Sequence, residues 1–363
     1  MIEDAAENNM RVKECTTSDS QWGDAFKCLP ANLQDIYFSP SYYKVYEQVY
    51  GLQANCIVFE NDNDIALYPF IITPLRGLSY IEFDHEYFDI QGAYGYNGVA
   101  STTNDPDFVA SISQTMIEYC QEKGIIAEFT RFNPIYNNHK LTPHLEVVKA
   151  NRNVLVDLTE REIWQNSYEH STRKNIKKAN RLGLSTTVIA GSDVTPEQLD
   201  LFIGIYEKTM TRNSADDFYY FSRDYFSTMF RLNGRNTMVF FTMKEGVPIA
   251  CELVLYGGSV GYSFLGGTLV EYYECRPNDI LKHAIIEHLK DVGCTCLCLG
   301  GGTSDGDGIF RYKRSFSKNG VVPFFIGKKI HNASIYNQII KTWSEQFPEK
   351  CKKYGSTLLK YRY

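Results

Sequence analysis

The chain has 363 residues, 44% of them hydrophobic, and 43 acidic against 37 basic side chains give a formal charge of −6. That length allows two domains with sizeable cores, and the acidic balance argues against a generic nucleic-acid coat while allowing local basic patches. Ten scattered cysteines with no C-x-x-C pair exclude a disulfide scaffold and a cysteine-paired zinc site; they suit small apolar core residues in a reducing compartment.

The N-terminal MIEDAAENN is polar and acidic, so no signal peptide is read there. No apolar run reaches the roughly 18–20 residues of a membrane span, and the expectation is a soluble, cytoplasmic protein with no integral membrane segment. A helix is predicted over residues 41–50 (SYYKVYEQVY). Three strands follow as a meander: ANCIVFE, IALYPFIIT and LSYIEFD, the first two joined by the turn NDND. Residues 106–123 read as an amphipathic helix stopped by Gly124, and IIAEFTRF as a strand. Residues 141–152 (LTPHLEVVKANR) lack a clear period and mark the composition break.

The second half repeats this order. Helical patterns at 196–210 and 222–230 precede the strands TMVFFTMK, PIACELVLY and SVGYSFLG, with Glu245-Gly246 and Gly257-Gly258 as hairpin turns. Residues 277–292 form a helix with Leu281, Ile285, Leu289 and Val292 on one stripe, ended by Gly293, and CTCLCL is a buried strand. A glycine-rich stretch, LGGGTSDGDGIFRYKRSFS, comes next. Residues 332–354 are helical in pattern, with Ile335, Ile339, Trp343 and Phe347 at three- and four-residue spacing. The parallel order of elements predicts a structural duplication.

Several familiar chemistries fail on spacing. Gly301 and Gly306 sit as in a phosphate-binding P-loop, but Asp307 stands where lysine is required; the dinucleotide fingerprint would need glycine at Asp305 or Arg311. A calcium loop would need a closing glutamate that the stretch lacks. Residues Gly257–Gly261 fit G-x-S-x-G, yet they join two strands rather than a strand and a helix, so no nucleophile elbow is expected. The seven histidines make no H-x-x-x-H or H-E-x-x-H pattern, so no metal site is expected. On a helix over 173–181, Arg173, Lys177 and Arg181 share a face with Lys174 and Lys178 beside it. Such a cluster suits phosphates, or is a solvated face.

A helix, a meander, a helix and a further strand resemble the core of the GNAT acyltransferase fold, here in tandem. Residues 88–98 (FDIQGAYGYNG), 173–184 (RKNIKKANRLGL), 209–220 (TMTRNSADDFYY) and 299–316 (LGGG…FRYKRSF) resemble, in order and spacing, the signature segments of the Fem family of peptidyltransferases. That family forms peptidoglycan bridges, and the chain likewise resembles the related GNAT-like acyltransferases of polysaccharide synthesis. Tyr312-Lys313 stands for its Phe-Lys pair, Ser315 and Ser317 replace two of its glycines, and the helical-hairpin insertion of some members is absent.

The resemblance implies a mixed α/β fold of two GNAT-like units facing each other across a cleft. Residues 1–150 would form the first, with the C-terminal helical segment 325–363 packed back on it. Residues 151–324 would form the second and carry the active site. It implies an acyltransferase that moves an aminoacyl or acyl group onto an amine of a nucleotide- or lipid-linked muropeptide precursor. Lys313 matches the lysine thought to stabilise the oxyanion, and Tyr312 its aromatic partner. Arg173, Lys177, Arg212, Tyr219, Gly300, Gly301, Gly302 and Arg311 are the substrate-binding candidates; the glycine turn would form the cleft wall, its backbone close to substrate. Asp216, Asp217 and Glu252 are candidate bases.

No tightly bound cofactor is expected. Enzymes of the GNAT type bind the CoA pyrophosphate through [RQ]-x-x-G-x-[GA] at a helix start, and the segment GGTLVEYYECRPNDIL lacks it. Aminoacyl-tRNA is therefore favoured as donor, with acyl-CoA and a sugar or polysaccharide acceptor as the alternative. A non-catalytic binding member of the family is the reading from another class.

Overall fold

The computed structural model describes residues 10–304 and 306–363; MIEDAAENN and Asp305 lie outside them. In chain order the elements are β1 (Arg11–Thr16), α1 (Ser20–Cys28), α2 (Pro40–Tyr50), β2 (Gln53–Glu60), β3 (Ile65–Pro74), β4 (Phe88–Gln91), β5 (Ala100–Ser101), α3 (Pro106–Glu122) and β6 (Ile125–Arg131). There follow β7 (Glu146–Asp157), α4 (Ile163–Asn166), α5 (His170–Arg181), β8 (Ser185–Ala190), α6 (Pro196–Arg212), α7 (Arg223–Asn233), β9 (Thr237–Lys244), β10 (Val247–Gly257) and β11 (Val260–Thr268). The chain closes with α8 (Pro277–Asp291), β12 (Cys296–Gly300), α9 (Gly308–Arg314), β13 (Val321–Ile330), α10 (Ala333–Gln346) and α11 (Pro348–Tyr354). Among the described residues no helix is long and apolar enough to cross a membrane.

The fold divides into two compact units. Met1–Leu33, Tyr37–Ala150 and Phe324–Tyr363 make the first; Gln34–Ile36 and Asn151–Pro323 make the second. Each is a mixed α/β unit. In the first, β1, β2, β3 and β4 pair antiparallel in turn, β4 pairs parallel with β6, and β13 runs antiparallel to β6. In the second, β8, β9, β10 and β11 pair antiparallel, β11 pairs parallel with β12, and β7 runs antiparallel to β12. The strands β1, β2, β3, β4 and β6 are thus repeated in order by β8, β9, β10, β11 and β12, which is the duplication that the element order predicts; the sixth strand follows the five in the first unit (β13) and precedes them in the second (β7), and β5, paired with β3, has no counterpart among the described strands. A parallel pair needs a crossover, and in each unit a helix supplies it: α3 between β4 and β6, α8 between β11 and β12.

Local chemistry explains where helices begin. Ser39, Asp105 and Thr195 cap α2, α3 and α6, each followed by proline at the first helical positions, and Thr195 with Gln198 closes a full capping box. The turn Glu245-Gly246 has positive φ at both residues, 51° and 81°, the conformation a two-residue hairpin demands. In the first unit, Phe108, Ile112, Met116 and Cys120 of α3 pack on Ile57, Phe59, Tyr68 and Ile90 of the strands. In the second, Leu281, Ile285, Ile286 and Leu289 of α8 pack on Phe240, Val254, Leu297 and Leu299.

Three expectations need correction. LSYIEFD is not a strand; β4 takes the third place in the meander. Its apolar side chains, Ile81 and Phe83, pack instead with Tyr336, Ile339 and Trp343 of α10, all in the first unit. The segment 325–363 is not helical throughout. Its first residues belong to β13, which pairs with β6 through Ile326–Ile330, and the helix breaks at Phe347 before Pro348. The aperiodic stretch 141–152 runs into β7. The chain end is tied down in the first unit, where the Arg362 Nε donates to Asp89 Oδ2 at 2.9 Å and its other nitrogens to the carbonyls of Thr73 and Pro74.

Candidate active site

In the second unit, β11 and β12 pair only at Val260–Tyr262 with Cys296–Cys298. Beyond that, β11 continues to Thr268 with no strand hydrogen-bonded on that side among the described residues, and its register against β10 shifts at Leu253/Val254. Side-chain bonds join the elements here: Thr268 at the end of β11 donates to the Asn278 side chain in the first turn of α8, Tyr312 of α9 to the Asn278 carbonyl, and Lys313 of α9 to the Gly301 carbonyl just past β12.

The glycine turn leads from β12 to α9. Gly300 has φ +73°, a left-handed conformation costly for any side chain. A Cβ on Gly301 would lie 2.5 Å from the Arg152 carbonyl oxygen, and one on Gly302 would lie 2.1 Å from Asp307 Oδ1. The chain's own atoms thus already require these glycines. Asp307 caps α9. Its carboxylate accepts from the amides of Phe310 (2.7 Å), Thr303 (2.7 Å) and Ser304 (3.1 Å), and from the Thr303 hydroxyl. Partial burial works against the charge, but these donors overcome it and hold the carboxyl well below the usual range. Asp307→Ala is expected to lose about 1 kcal/mol of local stability, read as faster amide exchange at Phe310, with Asp307→Asn recovering most of it.

α9 carries Arg311, Tyr312 and Lys313. The Lys313 Nζ donates to the Gly301 carbonyl at 2.8 Å. Burial lowers its pKa from 10.5 to about 8, and the nearby Lys282 ammonium adds to the shift. The Tyr312 hydroxyl donates to the Asn278 carbonyl at 2.8 Å, in the first turn of α8. Burial raises its pKa, as do the carboxylates of Asp279 and Glu252, so it stays a neutral phenol. Arg311 is exposed and donates to the Gly306 carbonyl. Ser315 and Ser317 both use their hydroxyls: the Thr172 hydroxyl donates to Ser315 Oγ at 2.8 Å, and the Ser317 hydroxyl to the Leu155 carbonyl at 2.6 Å.

Beside Lys313 lies a buried ion pair that the sequence analysis did not assemble. The Lys282 ammonium, on α8, bonds both oxygens of Glu252 on β10, at 2.6 Å to Oε2, and also Ser263 Oγ on β11 at 2.7 Å. The side chains are 4% and 11% exposed, so little water screens the pair. Glu252, a candidate base, is thus held as the partner of Lys282. Two signals pointed to it: a lone acid inside the apolar strand IACELVLY, and a lysine three and four residues before Ile285 and Ile286 on the buried face of α8.

The remaining candidates are dispersed over the second unit. One terminal nitrogen of the Arg173 guanidinium donates to the carbonyls of Trp164, Gln165 and Tyr168, which ties the start of α5 to the segment before it. Lys177 is exposed, as are Lys174 and Arg181; Lys178 faces Glu274 at 3.7 Å. Arg212 donates to the Thr268 carbonyl at the end of β11 and lies over the Tyr273 ring. Tyr219 is 38% exposed and accepts at its carbonyl from the Tyr206 hydroxyl. Asp216 and Asp217 precede it in the same short turn.

Residues 167–314 match the family model described as "Acetyltransferase (GNAT) domain", a span that runs from before α5 to the end of α9 and includes Lys313. That match supports an acyltransferase. Among solved structures, one described as FemX has a TM-score of 0.68 at 12% identity, covering 90% of this chain and 99% of that one. A tandem GNAT protein from the clavulanic acid biosynthesis pathway scores 0.50 at 7% identity, covering 89% and 99%. A conserved protein of unknown function from Bacteroides thetaiotaomicron scores 0.51 at 10% identity, covering 88% and 100%. At these identities the likeness shows the fold, a tandem GNAT arrangement. No curated protein matches the chain.

Proposed function

We propose that the chain transfers an activated acyl group to an amine, with the reaction in the second unit and Lys313 as the group that stabilises the oxyanion. The carrying observation is Lys313 itself: a half-buried ammonium on α9, inside the matched acetyltransferase domain, next to the gap between β11 and β12. Attack by a neutral amine on the acyl carbon forms a C–N bond and places negative charge on the carbonyl oxygen. A preorganised cation there lowers the barrier, and the thiolate or alkoxide leaving group departs as the amine sheds its proton. Tyr312, whose hydroxyl is engaged by Asn278, acts by packing. The resemblance to the Fem enzymes supports an amine of a nucleotide- or lipid-linked muropeptide as acceptor.

The domain description supports acyl-CoA as donor. The exposed cations of α5, Lys174, Lys177 and Arg181, support charged tRNA as the second reading. Calorimetry with acetyl-CoA on the full chain separates them. Micromolar binding, about −8 kcal/mol, is the outcome expected for a CoA-dependent enzyme. No heat at millimolar ligand would remove that donor and leave charged tRNA.

A further inference from the structure

Acyl transfer to an amine releases a proton from that amine, and a base in the site speeds the step. Asp307 is committed to capping α9 by its amide and hydroxyl donors. The second unit holds a better-placed group. Ser263 follows Tyr262, the last residue of β11 that pairs with β12, so it stands where the two strands part. The pairing of β11 with β10 slips there as well: Val254 lies opposite Ser263 and Leu253 opposite Leu265, which leaves Phe264 as an extra residue. Such a bulge re-aims the side chains around it. The Ser263 hydroxyl donates to Glu252 Oε1 at 2.5 Å and accepts from the Lys282 ammonium at 2.7 Å. Lys282 in turn holds Glu252 Oε2 at 2.6 Å. Glu252 and Lys282 are buried, whereas Ser263 is only half-buried.

We propose that Ser263 receives the proton shed by the acceptor amine and passes its own to Glu252. The assignment rests on the acyl-transfer reading and adds the proton's route to it. A hydroxyl has one donor and two acceptor positions. Ser263 uses the donor on Glu252 and one acceptor on Lys282, and among the described residues nothing takes the other. That lone pair accepts from the amine N–H. Glu252 is buried behind it and reaches the amine only through the serine. Burial first, then the Lys282 ammonium, lowers the Lys313 pKa to about 8, while the Glu252 carboxylate opposes the shift. Lys313 and the cluster thus feel each other's charge. As the C–N bond forms, the amine proton moves to Ser263 Oγ and the Ser263 proton to Glu252. As the bond to the leaving group breaks, the thiolate or alkoxide takes a proton back through Ser263, which restores the carboxylate. The net change is one proton carried from the amine to the leaving group. Lys282 keeps its protons throughout and positions the other two side chains.

The test uses the full chain, a primary-amine acceptor and whichever donor, acetyl-CoA or charged tRNA, supports transfer. Ser263→Ala should lower kcat by about 10²–10⁴, the usual contribution of a positioned proton acceptor, with the acceptor KM little changed. Ser263→Thr keeps the hydroxyl on a side chain that strands favour, and should recover most of the rate. A second readout needs no variant to fold. In single turnovers of the unsubstituted chain, the rate in mixtures of H2O and D2O should fall along a bowed curve, because both protons of the relay move together. Ser263→Ala at full rate, or a linear dependence on deuterium, would overturn the assignment and leave acyl transfer by Lys313 in place. A chain that acylates no amine with either donor would remove the acyl-transfer reading and this assignment with it.

Discussion

Lys313→Ala should lower kcat/KM for amine acylation by about 10²–10³, the usual cost of removing one oxyanion donor, while leaving the fold intact. The second half of that expectation follows from electrostatics. Folding lowers the Lys313 pKa from 10.5 to about 8, because burial and the Lys282 ammonium disfavour the charged form. Below pH 8 the folded chain therefore holds a poorly solvated ammonium. Between about 8 and 10.5 the unfolded chain binds the proton and the folded chain releases it, so this group makes stability rise with pH across that window. Lys313→Met should consequently raise stability at pH 7 by an amount on the order of 1 kcal/mol, allowing for the side chain's partial exposure. Activity and stability should move in opposite directions, as for a residue retained for chemistry. If the ammonium is the working form, kcat/KM falls as pH rises through about 8, and Lys313→Arg, which stays charged, shifts that limb to much higher pH. A rate that climbs through pH 8 would instead make the neutral amine the working form. An unchanged rate in Lys313→Ala would remove the residue from the mechanism.

Breaking the neighbouring ion pair should be the most destabilising single change in the site. Lys282→Met leaves the Glu252 carboxylate buried with only Ser263 as partner, at a cost of about 3–5 kcal/mol. Replacing both, Glu252→Leu with Lys282→Met, should recover most of the loss, since two apolar groups of similar volume leave no uncompensated charge. The same substitution tests the electrical link to Lys313. Removing a positive neighbour favours the ammonium, so the pH limb of Lys282→Met should move up from about 8. Urea unfolding of the four proteins of the double-mutant cycle measures the coupling. A single-variant cost below about 1 kcal/mol would mean that water screens the pair.

Much of the architecture was legible because turns and periodicities agree locally. Proline-started helices, the Glu245-Gly246 hairpin and the apolar runs of β9, β10 and β12 each carry their own signal. The strand that LSYIEFD seemed to offer was lost to tertiary packing, because Ile81 and Phe83 find partners on a helix more than 200 residues away in sequence. β13, with Pro323 inside it and lysines at 328 and 329, gave no clean alternation. The resemblance led to Lys313 and Tyr312, but their environment lay outside it. Five cations in 173–181 look alike in sequence; the carbonyls that bind Arg173 come from α4 and the turn that follows it and are visible only once the chain is folded. The pairing of Glu252 with Lys282 likewise depends on the distance between a strand and a helix. The lone charge inside each apolar face was the available clue.

Acyl transfer can be read most directly by mass spectrometry of a primary-amine acceptor, a muropeptide with a free lysine side chain, incubated with the chain and either acetyl-CoA or charged tRNA. The account predicts an acceptor heavier by one acyl group with one of the two donors, equimolar release of the donor's thiol or tRNA, and loss of both signals in Lys313→Ala. Donor cleavage that proceeds equally well without acceptor, or an acylated acceptor formed undiminished by Lys313→Ala, would contradict it.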